Sequence, residues 1–88
     1  MDKLYIIIPA YNEQDTIMDV VEEWYPAVEM AGDDSRLVVI DDGSRDDTLA
    51  VLEKEAENKP QLIVKHKDNS GHGSTILLGY RYAIREGA

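Results

Sequence analysis

The chain has 88 residues, so it is at most one small domain, and residues 1–88 are expected to form a single unit. Its formal net charge of −9 at pH 7 argues against a nucleic acid as partner, because such binding depends on basic clusters. The absence of cysteine excludes disulfides and thiolate metal sites, and no apolar run approaches the roughly 20 residues of a membrane-spanning helix. These features favour a reducing, cytoplasmic location.

The first predicted elements are a strand over residues 4–8 and a helix that begins near Asn12 or Glu13. Pro26 is expected to kink or break this helix. Helical spacing predicts an inward stripe made of Ile17, Val20, Val21, Trp24 and Val28.

A second strand is predicted at residues 37–40, followed by a helix over about 45–57, a third strand at 62–64 and a last helix that stops at Gly87. The inward face of the last helix is predicted to contain Ile76, Leu77, Tyr80 and Ile84. Apolar strands that alternate with helices indicate an α/β fold with a parallel sheet covered on both faces. Ligands bind such sheets beyond the carboxyl ends of the strands.

Charge is distributed unevenly along these elements. Residues 1–58 hold 16 acids and 4 bases, whereas residues 59–88 hold 5 bases and 2 acids. Solvated helix faces are the simpler explanation of the basic last third. Contact with a phosphate or an anionic surface is the alternative.

Asp41 and Asp42 stand directly after the second strand, where a ligand is expected. A carboxylate there can accept hydrogen bonds from ribose hydroxyls or a base N–H, or bind a hard cation. The structural alternative is a turn in which an aspartate bonds its own backbone and Ser44 caps the next helix. Two adjacent aspartates exceed what capping requires, which favours a function for at least one of them.

The segment PAYNE follows the first strand. Tyr11 can stack on a base and Glu13 can contact a ribose, while Asn12 is a candidate cap of the first helix. A dinucleotide-binding fold would place glycines in this turn, and it has none.

The segment NSGHGST precedes the last helix. Its glycines could let backbone amides approach a diphosphate, with His72 nearby as a donor. The spacing of His66, Asp68 and His72 matches no known ligand pattern, so no metal site is expected there.

Three segments occur together in this order: IIIPAYNE, VVIDDGSRDDT and NSGHGSTILLGYRYA. They resemble the amino-terminal half of the nucleotide-binding region of family 2 glycosyltransferases, which have the GT-A fold. Within that family the resemblance is to dolichyl- or polyprenyl-phosphate sugar transferases. It implies a three-layer, Rossmann-like half-domain with the order β-α-β-α-β-α and a sheet in which the second strand lies between the other two.

The resemblance also implies a nucleotide-diphospho-sugar as ligand, linked to uridine or guanosine. Asp42 would bond the base, Asp41 would support its loop, and Glu13 would approach the nucleoside. It identifies no catalytic residue within the chain. The residues that it assigns to the nucleotide site are Pro9, Ala10, Tyr11, Glu13, Asp41, Asp42, Asn69, Gly71 and His72.

Enzymes of this kind continue into a fourth strand with an Asp-x-Asp motif that binds Mg²⁺ or Mn²⁺. The metal ligands and the acceptor site are therefore expected beyond residue 88, and residues 1–88 alone are expected to be inactive. The complete protein is expected at the cytoplasmic face of a membrane. Without a fourth strand, the chain is expected to self-associate through the edge formed by residues 4–8 or through the adjoining sheet face, most simply as a two-fold dimer.

Two alternatives remain from the sequence. The acidic pair also suits a phospho-receiver signalling module, although receivers carry such a pair after their first strand. A non-catalytic nucleotide-binding domain is the other alternative.

Overall fold

The computed structural model describes residues 3–67, 79 and 81–87. Its elements are β1 (Tyr5–Ala10), α1 (Ile17–Ala31), β2 (Arg36–Asp42), α2 (Thr48–Ala56) and β3 (Leu62–Lys67). Residues 79 and 81–85 are helical and belong to a third helix, α3. The predicted α/β order of alternating strands and helices is confirmed. The second and third strands are longer than predicted, and this lengthening places charged residues in the sheet.

The strands form a parallel sheet in which β2 lies between β1 and β3, as expected. Ala10 is level with Asp41, and Asp41 is level with His66. Asp42 is paired with Lys67, the last residue of β3. The carboxyl ends of all three strands therefore meet at one edge of the sheet.

The two faces of the sheet differ in what covers them. One of them, called the α1–α2 face, carries the main core. The buried residues of that core are Ala10, Ile17, Val21, Tyr25, Val28, Leu37, Val39, Leu52 and Leu62. Full burial of an aliphatic side chain contributes about 1.5–3 kcal/mol, so this cluster makes a large contribution to the stability of the fold.

The opposite side, called the α3 face, is approached closely by the third helix at Gly79. A Cβ atom at this position would collide with Ile7 Cγ2 and lie 3.0 Å from Ile40 Cδ1. Glycine therefore permits a helix-to-sheet distance that any larger residue would increase. Val38 and Ile40, which lie on this side of β2, are fully buried.

The prediction that Trp24 faces inward is wrong, and the predicted break at Pro26 does not occur. Trp24 is 45% exposed, and its neighbour Tyr25 is buried instead. The Tyr25 hydroxyl accepts a hydrogen bond from the backbone N–H of Gln61 at 3.1 Å, so the tyrosine can be buried with its polar tip satisfied. Pro26 lies inside the helix without ending it. Proline has no N–H, so the Glu22 carbonyl lacks its usual helical donor at residue 26. Glu22 is exposed, and water can bond to this carbonyl instead.

The predicted inward face of α3 is wrong at Ile84, which is 71% exposed. Gly79 and Ala83 are buried instead, four residues apart on one side of the helix. The other predicted inward residues, at 76, 77 and 80, lie outside the described part of the chain. Gly87 ends the helix as predicted, with φ of 86° and its N–H bonded to the Ile84 carbonyl at 3.1 Å.

The helices formed by the described residues are too short or too polar to serve as membrane spans.

Candidate functional site

The loops that follow β1 and β2 are joined by hydrogen bonds between them. Asn12 donates its N–H to Ser44 Oγ at 2.9 Å, and its side-chain oxygen accepts from the N–H of Arg45 at 2.8 Å. Asn12 has a left-handed φ of 50°, which asparagine tolerates better than most residues. Neither Asn12 nor Ser44 caps a helix, because α1 begins at Ile17 and α2 at Thr48. Both polar side chains hold the two loops together instead.

A second set of bonds joins the same loops nearer to α2. Glu13 donates its N–H to the buried Thr48 hydroxyl at 2.8 Å, and that hydroxyl donates to Asp46. Gln14 exchanges two bonds with the α2 loop: it donates to Asp46 at 3.3 Å and accepts from the Asp47 N–H at 2.9 Å. The loops after β1 and β2 enclose the carboxyl ends of these strands, a region called the strand-end site. Its shape is fixed by the reciprocal hydrogen bonds between the two loops.

The carboxylate of Asp46 accepts hydrogen bonds from Thr48, the first residue of α2. It accepts from the Thr48 hydroxyl and, at 3.0 Å, from the Thr48 N–H. The hydroxyl bond is the main cause that lowers the pKa of Asp46 below its ordinary value, and bonds from the backbone of Thr48 and Gln14 add to it. Asp46 is thus held as a carboxylate at the helix N-terminus, where negative charge is favoured.

Asp41 and Asp42 point to opposite faces of the sheet, because side chains alternate along a strand. Asp41 lies on the α1–α2 face, level with Ala10 and His66. Asp42 lies on the α3 face, level with Lys67. The adjacent carboxylates therefore do not form one acidic pocket.

Asp41 is fully buried. Its Oδ2 accepts from the N–H of Ser44 at 3.3 Å and lies 2.9 Å from His66 Nδ1, which donates because a carboxylate only accepts. Its Oδ1 is buried and has no hydrogen-bond partner among the described residues. Half of the His66 side chain is exposed, so this pair connects the buried carboxylate to the protein surface.

Asp42 is also buried, and its Oδ1 accepts from Lys67 Nζ at 2.9 Å. The Lys67 side chain is 16% exposed, so both charges of this pair are largely withdrawn from water. Charges in such an environment interact more strongly than exposed ones, so removing one member of the pair is costly.

The remaining predicted site residues divide into three groups. Pro9 and Tyr11 are partly exposed at the end of β1. Ala10, between them, is fully buried and belongs to the core on the α1–α2 face. Glu13 is partly exposed, and its carboxylate accepts from the Tyr11 N–H at 3.4 Å. Asn69, Gly71 and His72 lie outside the described part of the chain.

A divalent cation requires several oxygen or nitrogen ligands that converge on one point. No group of three or more histidine or acidic residues in ranges 3–67, 79 and 81–87 is arranged to hold a metal ion. Asp41 and Asp42 face apart, so these two carboxylates do not converge on one point.

Sequence reasoning missed three residues of this site: His66, Lys67 and Thr48. The first two pair with the aspartates because β3 continues to residue 67. The charges in KHK concealed this extension, since strands are usually recognised by apolar residues. Aligning the last residues of β2 with the charged residues that follow residue 64 would have paired each aspartate with its partner.

The chain matches one known protein family over nearly its whole length. The family model described as Glycosyl transferase family 2 matches residues 5–86. The match covers all three predicted motifs and every candidate site residue.

Two curated relatives are both undecaprenyl-phosphate 4-deoxy-4-formamido-L-arabinose transferases. The chain is 30% identical to the protein of Enterobacter sp. (strain 638) over 82 residues, which cover 91% of the chain and 25% of the relative. It is 34% identical to the protein of Sodalis glossinidius (strain morsitans) over 84 residues, which cover 93% of the chain and 26% of the relative. The chain thus spans about a quarter of the length of these relatives.

Proposed function

Since the chain belongs to glycosyl transferase family 2, we propose that it forms the nucleotide-binding part of an enzyme that transfers a sugar from a nucleotide-diphospho-sugar. The observation that carries this proposal is the strand-end site, where Tyr11 and Glu13 follow β1 and Asp42 ends the adjacent strand β2. Parallel α/β sheets bind ligands at this edge. A phospho-receiver would carry its acidic pair after β1, whereas here the pair follows β2.

We assign the base to the side of the sheet that carries Pro9 and Asp42. Tyr11 provides an aromatic ring for stacking, and the Asp42 carboxylate accepts a base N–H, a group that both uracil and guanine possess. Lys67 Nζ bonds to Asp42 Oδ1 in the present geometry, so a base that takes this oxygen would displace the ammonium group. The flexible four-carbon stem of lysine permits this movement.

The other residues position or extend this site. Asp41 supports the loop through its bond to the Ser44 N–H, and Ala10 forms the buried floor. Glu13, whose N–H bonds to Thr48 at the start of α2, is assigned to a ribose hydroxyl. Asn69, Gly71 and His72 are assigned to the sugar-diphosphate side from the sequence resemblance alone.

We further propose a polyprenyl phosphate as the acceptor, since both relatives are named for transfer to undecaprenyl phosphate. An acceptor of this kind is a membrane lipid, which supports a location at the cytoplasmic face of a membrane. Because the chain spans about a quarter of these relatives, the ligands for Mg²⁺ or Mn²⁺ and the acceptor site are assigned to residues outside it. Residues 1–88 alone are expected to transfer no sugar.

The test is calorimetry of uridine and guanosine diphosphates with the native full-length protein. Asp42→Asn should weaken the preferred nucleotide at least about tenfold, because a hydrogen bond to a charged group contributes about 1.5–3 kcal/mol. Asp15→Asn, an exposed change in the neighbouring loop, is the matched control. Equal affinity in the parent and Asp42→Asn proteins would contradict the assignment.

A second pair of variants covers the case in which Asp42→Asn does not fold. Tyr11→Phe should keep the affinity, since its ring still stacks, whereas Tyr11→Ala should lower it by about tenfold. Circular dichroism of each variant confirms that the fold is retained. Loss of affinity in both variants would show that Tyr11 acts through its hydroxyl and not through stacking.

A further inference from the structure

A basic cavity lies on the α3 face, between β3 and α3. Its described lining residues are Lys65, Arg81, Tyr82 and Arg85, and its volume is about 320 Å³. This is near the lower end of the roughly 300–1,000 Å³ range of small-molecule sites. The glycosyltransferase assignment uses none of these residues.

The cavity holds its cations close together. Lys65 Nζ lies 4.2 Å from the centre of the Tyr82 ring, and Arg85 Cζ lies 5.7 Å from the same centre. The two cations are therefore less than 10 Å apart, a separation at which charges repel each other at low ionic strength. Arg81 adds a third cation from the preceding turn of the helix.

No carboxylate compensates these charges within the described part of the chain. None of Lys65, Arg81 and Arg85 forms a salt bridge or a side-chain hydrogen bond there. The absence of such pairs is unexpected in a chain that holds 18 acids against 9 bases. An anion that entered the cavity would relieve the repulsion among the three cations.

The cavity is separate from the strand-end site. Its aromatic wall, Tyr82, packs against Tyr5 with the ring centres 6.1 Å apart. Tyr5 is the first residue of β1, whereas Asp42 is the last residue of β2. Lys65 is level with Ile40 and comes two residues before Lys67 on the same face, but neither Asp42 nor Lys67 is among the described lining residues of the cavity.

We propose that this cavity binds a phosphate group, held by Arg81, Arg85 and Lys65 around the Tyr82 ring. The two arginines present planar donor forks that match phosphate oxygens, and the lysine adds a point charge. The group belongs either to a soluble phosphate compound or to the headgroup of an anionic lipid. The proposal does not depend on the identity of the sugar donor.

The experiment uses the native full-length protein and two probes. Inorganic phosphate, titrated by calorimetry, reports a soluble ligand, and co-sedimentation with phosphatidylglycerol vesicles against phosphatidylcholine vesicles reports a lipid. Arg81→Gln and Arg85→Gln are made singly and together. Lys54→Gln, an exposed charge on α2, matches the single variants in net charge.

The double variant should bind the relevant probe about tenfold more weakly or worse, as expected for lost charge-assisted hydrogen bonds. Lys54→Gln should bind as the parent does. A loss confined to phosphate identifies a soluble ligand, and a loss confined to phosphatidylglycerol vesicles identifies a lipid. Unchanged binding of both probes in the double variant, or an equal loss in Lys54→Gln, would overturn the proposal.

Discussion

Asp41 and Asp42 are adjacent in the chain, yet they lie in different environments on the two faces of one sheet. Asp41 faces the α1–α2 core and bonds to a half-exposed histidine, His66. Asp42 faces α3 and pairs with Lys67, a cation that is itself mostly buried. The difference shows that two neighbouring carboxylates in a strand must be assigned separate roles.

The environment of each aspartate also suggests how it functions. Asp41 bonds the backbone of its own loop, which suits a structural role. Asp42 is paired with a flexible side chain that can exchange for another donor. A ligand that displaces Lys67 would replace one charge-assisted bond with another, so its net affinity depends on where the lysine goes.

The largest expected effect concerns the two ion pairs. Lys67→Met should lower the free energy of unfolding by about 3 kcal/mol, because it leaves a buried carboxylate without its cationic partner. His66→Gln should cost only about 1 kcal/mol, because this side chain is half exposed and a glutamine can still donate. Urea denaturation of both variants measures the difference.

Similar losses in the two variants would show that the two faces hold their aspartates equally strongly. That result would remove the physical basis for separate roles.

The next effect concerns the bonds that join the two loops on the α1–α2 side. Thr48→Val keeps the side-chain volume but removes a buried hydroxyl, which leaves the Glu13 N–H without its acceptor. It should lower the free energy of unfolding by about 2 kcal/mol. Thr16→Val is the matched control, since Thr16 precedes α1, is exposed and makes no side-chain capping bond. Its cost should stay below about 0.5 kcal/mol.

If Thr16→Val proves as costly as Thr48→Val, the loss reflects helix capping in general. The joined loops would then contribute little to the site.

A smaller effect concerns the edge of the sheet at β1. Among the described strands, β1 pairs only with β2, and Leu4, beside it, is 41% exposed. A polypeptide of residues 1–88 should self-associate at tens of micromolar, and Leu4→Lys should reduce this association. Ile6 and Ile7 are poorer sites for the substitution, because one packs on the core and the other lies against α3.

Light scattering measures the association, and circular dichroism confirms the fold. Met30→Lys, which places a lysine at an 89% exposed position on α1, is the control and should leave association unchanged. A folded, monomeric parent chain at the same concentration would contradict the prediction.

Much of this arrangement could be predicted from the sequence, for physical reasons. Continuous apolar runs such as residues 37–40 indicate buried parallel strands, and parallel strands place their following loops at one edge. The same pattern located Tyr11 and Asp42 at a common edge. It failed at Trp24, because periodicity alone cannot choose between adjacent aromatics when a distant N–H, that of Gln61, satisfies one of them.

The partners of the two aspartates could not be predicted in the same way. They depend on how far β3 extends, and β3 ends in KHK rather than in apolar residues. The prediction that Asn12 and Ser44 cap helices was wrong for a related reason. Each forms a good capping residue locally, but each finds its partner in the other loop, more than 30 residues away.

The smallest expected effect concerns acid stability on the α1–α2 side, at Asp46. Hydrogen bonds from Thr48 lower its pKa in the folded protein below the ordinary value of 3.8. A lowered pKa contributes stability that is present above the unfolded pKa and is lost as pH falls through the folded one. The parent protein should therefore lose slightly more stability than Asp46→Asn as pH falls below about 4. Thermal denaturation across this range measures the difference.

In a Thr48→Val background the difference should shrink, because the hydroxyl bond is the main cause of the lowered pKa. An undiminished difference there would assign the effect to the backbone bonds at Asp46 instead.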